Sequence, residues 1–241
     1  MTTTATRPAF YAVADGRGGV RDWITLLHPP YTLWHLSYVA IGAGLVPHVV
    51  LWRLAGTLLA FFLAVGVGAH ALDELHDRPL GTGIPSRILA VAAAVSIGAA
   101  IVAGLVDGGW RLLPFVVVGG VLVTSYSLEL GRGVLHNAVG FAAAWGAFPV
   151  LVGAYAQHWT LPFAAVVAAA AAMLFSLAQR ALSAPARLPR RHVREVSVRV
   201  QLDDGSAREL CRDDLLMPLE RALRALGWGL PLVAVAVLVA R

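Results

Sequence analysis

The feature that most constrains this chain is a succession of apolar runs, each close to the roughly 20 residues that a helix needs to cross a hydrocarbon core about 30 Å thick. They lie near 31–46, 51–74, 86–106, 111–128, 135–157 and 160–182, and a seventh begins at Asp213 or Asp214. Short polar breaks separate them, among them Pro47-His48, Asp107-Gly108-Gly109, Gly131-Arg132-Gly133 and His158. With 58% hydrophobic residues, 14% charged residues and a mean hydropathy of +0.72, the chain exposes too much apolar surface for a compact soluble domain. The predicted fold class is an all-α membrane protein, a bundle of about seven transmembrane helices. Its principal partner is membrane lipid.

Polar composition divides the chain further. Residues 1–22, with Gly16, Gly18 and Gly19 and no helical period, read as a flexible tail; 23–183 carry six helices; 184–212 form a basic loop; and 213–241 form the last helix. Within the basic loop Val196, Val198, Val200 and Leu202 alternate with polar residues. Asp203-Asp204-Gly205-Ser206 then supplies turn chemistry before a second strand through Leu210, which predicts a small β-hairpin, a docking element for a partner subunit or a cover resting on headgroups. All basic residues are arginines, and all but Arg53, Arg111 and Arg241 fall on one side of the predicted topology. The positive-inside rule makes that side cytoplasmic, with the N-terminus inside and the C-terminus outside a bacterial-type inner or cell membrane. The same rule accounts for the basic charge without a nucleic-acid partner. The single Cys211 forms no internal disulfide, and no cleavable signal peptide is apparent in the first thirty residues.

Chemistry-bearing residues gather at the cytoplasmic end. In the segment 70–79, His70, Asp73, Glu74 and Asp77 fall on one helical face while His76 points elsewhere. Three converging carboxylates resist burial together and invite a cation. The hard oxygens suit Mg²⁺, and the imidazole also admits Zn²⁺, Mn²⁺ or Fe. A second cluster on the same side holds Tyr126, Ser127, Glu129, Arg132, His136 and Asn137. His35, at mid-span, is a third candidate, read first as a hydrogen-bonded interhelical contact.

Together the two clusters resemble the UbiA superfamily of intramembrane prenyltransferases. That family carries Asn-Asp-x-x-Asp-x-x-x-Asp after its second helix, and Asp73 and Asp77 stand at the last two acidic positions, followed by Arg78-Pro79-Leu80. Tyr126-Ser127 through Arg132-Gly133, His136-Asn137, Val139-Gly140, Phe148-Pro149 and Gly153-Ala154-Tyr155 look like its fourth and fifth helices, and His28-Pro29-Pro30 looks like the start of its first. The likeness covers roughly residues 23–182. It implies an isoprenoid or other lipid diphosphate as substrate, with Mg²⁺ on His70, Asp73, Glu74 and Asp77, and phosphate or substrate contacts from Arg78, Arg132, Asn137 and Arg180. Tyr126 and His136 would position an acceptor or move a proton beside Asp73 and Asp77. The sequence departs from the family pattern where Ala69-His70 replace the leading Asn-Asp, and where Ser176, Gln179, Arg180 and Ser183 stand in place of a second aspartate-rich motif. Two alternatives follow: a non-catalytic UbiA-like protein that binds a lipid or a partner, and a transition-metal lipid hydrolase or oxidase using the His/Asp/Glu face.

Overall fold

The computed structural model describes residues 8–240. Residues 1–7 of the predicted tail, and Arg7 and Arg241 of the arginine distribution, lie outside the described residues. The helices are α1 (Val20–Leu26), α2 (Pro29–Gly44), α3 (Leu51–Asp77), α4 (Ser86–Gly108), α5 (Leu113–Ser127), α6 (Ala138–His158), α7 (Phe163–Arg191) and α8 (Arg212–Val239). Strands β1 (Ser197–Gln201) and β2 (Ala207–Cys211) form an antiparallel hairpin between α7 and α8.

Five described helices are long and apolar enough to cross a membrane: α3, α4, α6, α7 and α8. That is consistent with an integral membrane protein. The count differs from the expected seven because α5 has 15 residues and α2 has 16, and because α2 carries buried polar groups, Thr32, His35 and Ser37, within its apolar run. Large apolar side chains face outward along the helices, including Val91, Val102, Val121, Leu174, Leu232 and Val235. An outer surface of that kind needs an apolar solvent.

Helix α2 sits in the middle, its Trp34 and Tyr38 packed with Val150 of α6, Ala169 and Ala172 of α7 and Leu230 of α8. Gly42 and Gly153 make this possible, because a Cβ on either would strike the backbone of the facing helix at Val150 or Val39. A second cluster joins Val65 and Ala69 of α3 to Val123 and Tyr126 of α5 and Ala144 and Trp145 of α6. Two helices contain wide-turn π segments, Phe62–Ala69 in α3 and Ala143–Ala147 in α6. Such segments recur at functional sites, where they redirect side chains.

Three predicted boundaries move. The tail is not loose from residue 8 onward: the Asp22 carboxylate accepts the backbone N–H groups of Asp15, Gly16 and Gly18 at 2.9, 3.2 and 2.7 Å, and that of Gly83 at 2.7 Å. Burial raises the Asp22 carboxyl, but these four donors outweigh it and hold it below the usual carboxylate range. Helix α7 runs past Pro185 and Pro189 to Arg191, so the basic loop is shorter than 184–212; the packing of Ala186, Pro189 and Arg190 sustains the last turns. The N-cap of α8 is Cys211, not Asp213 or Asp214, and Asp214 instead accepts the Cys211 N–H at 2.8 Å. The hairpin follows the predicted strands, is exposed, and is tied to α8 by Arg208 and Asp214 at 3.8 Å.

Candidate functional site: a polar cavity at one end of the bundle

A cavity of about 480 Å³ opens where the start of α2, the ends of α3, α5 and α7 and the start of α6 meet. Its existence follows from connectivity: α3, α5 and α7 all run toward this end, so their polar C-terminal turns gather around one space. Pro8, Ala9 and Tyr11 lie against it from the N-terminal side.

One wall is acidic and imidazole-rich. His70, Asp73 and Asp77 of α3 line it, at i, i+3 and i+7. The His70 ring stacks on His28 at 4.2 Å between centroids, and its Nδ1 lies 3.1 Å from the Gly66 carbonyl in the π segment. His28 takes a left-handed backbone conformation, φ 45°, uncommon for a residue with a side chain. Burial pushes the His28 imidazole well below its usual value, and His70, Arg191 and His35 push it further the same way. Tyr11, whose phenol burial and Tyr31 raise well above its ordinary value, is hydrogen-bonded through its hydroxyl to His28 Nδ1. His35 also lines the cavity and bonds through Nδ1 to the Trp145 carbonyl at 2.9 Å, the interhelical contact expected of it.

Tyr126, Ser127, Glu129 and His136 form the next side. The Tyr126 and His136 rings stack at 4.7 Å, and His136 Nδ1 lies 3.6 Å from the Glu129 carboxylate. The opposite wall is a stripe of α7 at helical spacing: Ser176, Gln179, Arg180, Ser183, Arg187, Arg190 and Arg191. Arg180 donates to the Tyr126 hydroxyl at 3.0 Å, and Arg191 to the Pro8 carbonyl at 3.0 Å. Buried Arg190 pairs through Nε with Glu220 of α8 at 2.8 Å, while its Nη2 is buried with no hydrogen-bond partner.

A second, apolar cavity of about 100 Å³ lies between α3, α4, α5 and α6 and shares Val65 and Trp145 with the polar one. Glycines and small side chains, Gly56, Ala60, Gly104 and Gly119 among them, leave this space between the helices.

No family model, curated protein or solved structure matches this chain. The cavity's chemistry therefore rests on its own side chains.

The cavity brings together His70, Asp73, Asp77, Tyr126, His136 and Arg180 of the predicted site residues. Four others serve elsewhere. Glu74, predicted to share the acidic face, is fully buried and turned to the following loop, where it accepts the Leu80 N–H at 2.9 Å, the Thr82 N–H at 2.7 Å and the Thr82 hydroxyl at 2.8 Å. Arg78 clasps the same loop, donating to the Ile84 carbonyl at 2.7 Å and the Ser86 hydroxyl at 2.6 Å. Arg132 is exposed in a turn with left-handed Gly131 and Arg132, away from the cavity. Asn137 caps α6, accepting the Gly140 N–H at 2.8 Å. His76, expected to point elsewhere, does line the cavity. Tyr11, Tyr31 and His28 join the site without having been singled out by sequence. The run Phe10-Tyr11 in an otherwise polar tail and the histidine before Pro29-Pro30 are the signals that could have marked them.

With Glu74 occupied by backbone donors, the four-residue metal set does not assemble. Among the described residues no group of three His, Cys, Asp or Glu side chains is arranged to hold a metal ion. Asp73 and Asp77 remain in the cavity without Glu74, and no chemical step is derived through a metal.

Proposed function

We propose that the protein is a divergent UbiA-like, seven-pass membrane enzyme that takes a lipid diphosphate, with the head group in the polar cavity and the isoprenoid chain toward the adjoining apolar one. The observation that carries this reading is the sharing of Val65 and Trp145 between a charged cavity and an apolar cavity. An amphiphile with an anionic head and an apolar tail matches that pair. The concentration of arginines on the cavity side supports a cytoplasmic N-terminus and an external C-terminus.

In this reading the prenyl C–O bond breaks and its electron pair leaves with the diphosphate, whose charge the α7 arginines offset. The acceptor's electron pair then forms the new bond to the prenyl carbon. Its displaced proton passes to a base on the opposite wall, Asp73 or His136, with Tyr126 positioning the acceptor. Aromatic Trp34 and Trp145 beside the cavity limit access of water to the developing cation.

Membranes containing the protein are expected to consume radiolabelled farnesyl diphosphate and form a prenylated lipid, and Asp73→Asn should abolish the product while leaving the protein folded. Undiminished turnover in Asp73→Asn would sink the enzymatic assignment. A second reading, a UbiA-like protein that binds an isoprenoid lipid without turning it over, is favoured by one observation: Glu74 is committed to the loop and the metal set is incomplete. Co-purified isoprenoid with no turnover in the wild type selects it. The hydrolase or oxidase alternative would need a three-ligand metal group of the kind not formed among the described residues.

A further inference from the structure

We infer that the arginine stripe of α7 is a metal-independent subsite for a phosphate-bearing anion, built by Arg187, Arg190 and Arg191 with Arg180 behind them. This rests on the reading of the polar cavity as the head-group site and specifies how the head group is held there. The spacing is the first support. Arg180, Arg187 and Arg191 stand at i, i+7 and i+11, with Arg190 one position away, so four guanidinium groups face one space from one helix. Arg187 and Arg191, at i and i+4, repel one another, and a bound anion would offset that repulsion.

Neutralisation within the protein is the second consideration. Among the described residues Arg180, Arg187 and Arg191 form no ion pair, although Asp73 and Asp77 line the same cavity. The two signs of charge stand on separate walls. Arg190, 94% removed from solvent, is the third: Glu220 satisfies its Nε, but Nη2 is buried and unpaired. A buried guanidinium N–H without an acceptor is costly, and a phosphate oxygen is its natural partner. The Pro8 carbonyl on Arg191 Nε is a neutral acceptor at the same wall, one that an anion would replace with a stronger one.

A phosphoryl group suits this geometry better than a carboxylate, because its several tetrahedrally disposed oxygens can accept from guanidinium forks on successive helical turns. The same chemistry could be presented by a lipid diphosphate or by free pyrophosphate. The shared Val65 and Trp145 favour the lipid.

The test uses the full-length protein in detergent with excess EDTA and measures binding of radiolabelled farnesyl diphosphate, inorganic pyrophosphate and farnesol. Farnesyl diphosphate is expected to bind without divalent cation, and Arg187→Gln and Arg191→Gln are each expected to weaken it by about tenfold or more. Farnesol binding should be unchanged in both variants, and Arg199→Gln in the exposed hairpin serves as the control. Pyrophosphate that binds as tightly as the lipid would keep the anion site and assign it to a free ligand. Binding that vanishes in EDTA, returns with Mg²⁺ and ignores both arginine substitutions would overturn the subsite while leaving the proposed enzyme intact. EDTA-resistant, arginine-dependent binding with no product from any acceptor would do the reverse. Arg187 is exposed and pairs with no carboxylate, so its variant tests the subsite even where a change at Arg190 would unfold the protein.

Discussion

The C-terminal ends of α3 and α7 both enter the polar cavity densely charged, yet their charges do different work. On α3, Glu74 is enclosed by three donors of the following loop, and His70 is held by the Gly66 carbonyl and the His28 ring; only Asp73 and Asp77 keep carboxylates turned to the cavity. On α7, Arg190 is half satisfied, Arg191 holds a single carbonyl, Arg180 a single phenol, and Arg187 is exposed. In the sequence the acidic cluster looks like chemistry, while the arginines at the end of α7 read either as head-group contacts, Arg180 foremost, or as a topology signal. Hydrogen-bond accounting reverses part of that impression, because a charge enclosed by donors of the fold has little capacity left for a ligand.

The sharpest way to break this comparison is at the ion pair that ties the α7 wall to α8. Glu220 is buried between Arg190 at 2.8 Å and Arg224 at 3.4 Å. Removing it in Glu220→Ala leaves the Arg190 charge enclosed without its partner, a loss of about 3–5 kcal/mol. Thermal unfolding in detergent should show a larger drop for Glu220→Ala than for any change to the α3 carboxylates. The double replacement Arg190→Met with Glu220→Leu should recover most of the loss, since an apolar pair of similar volume carries no uncompensated charge. An unchanged melting temperature in Glu220→Ala would mean that the Arg190 guanidinium does not depend on Glu220 for its charge partner.

The next effect separates neighbours on α3. Glu74→Gln replaces one acceptor oxygen by an NH₂ group, so at least one of the Leu80 and Thr82 donors loses its partner inside the protein. The expected cost is about 1–3 kcal/mol. Asp77→Asn, on a side chain that is 75% exposed, should cost less than about 0.5 kcal/mol. Equal losses would erase the distinction between a structural and a cavity-facing carboxylate on this helix.

Much of this arrangement is legible in sequence, and the gaps have a common physical cause. Apolar run length locates the helices because burial in lipid acts on whole segments, and alternating connectivity then places the 70s, 126–136 and the end of α7 at one end. What pattern does not encode is which backbone donors a loop will present. Helical spacing assigns Glu74 to the acidic face because its partners, the N–H groups of Leu80 and Thr82, carry no sequence signature. The same holds for Asp22 and the Gly83 N–H, 61 residues away in the chain. Proximity in sequence draws Arg132 and Asn137 into the site, but Arg132 sits exposed in the left-handed turn at Gly131-Arg132 and Asn137 is spent on capping α6. The end of α7 extends beyond its sequence-based limit because Pro185 and Pro189 normally stop a helix, and only tertiary packing keeps this one going.

Asp22 offers the finest probe of a carboxylate committed to the fold. Its four backbone donors hold the folded carboxyl below the usual carboxylate range, against the burial that raises it. A group whose folded value is depressed stabilises the native state fully above the unfolded value, near 3.9, and loses that contribution as pH falls through the folded value. Asp22→Asn should therefore melt below the wild type at neutral pH, and the gap between them should close as the pH is lowered beneath about 4. The closure is specific: a merely steric role for the side chain would keep the two melting curves the same distance apart at every pH. Because Asp22 pins residues 15–18 to the loop at Gly83, the segment that carries Tyr11 and Pro8 to the cavity should also become protease-sensitive in the variant. If it stays protected, the contacts of Tyr11 with His28 and of Pro8 with Arg191 are enough to hold it, and the cavity rather than Asp22 orders the N-terminal segment.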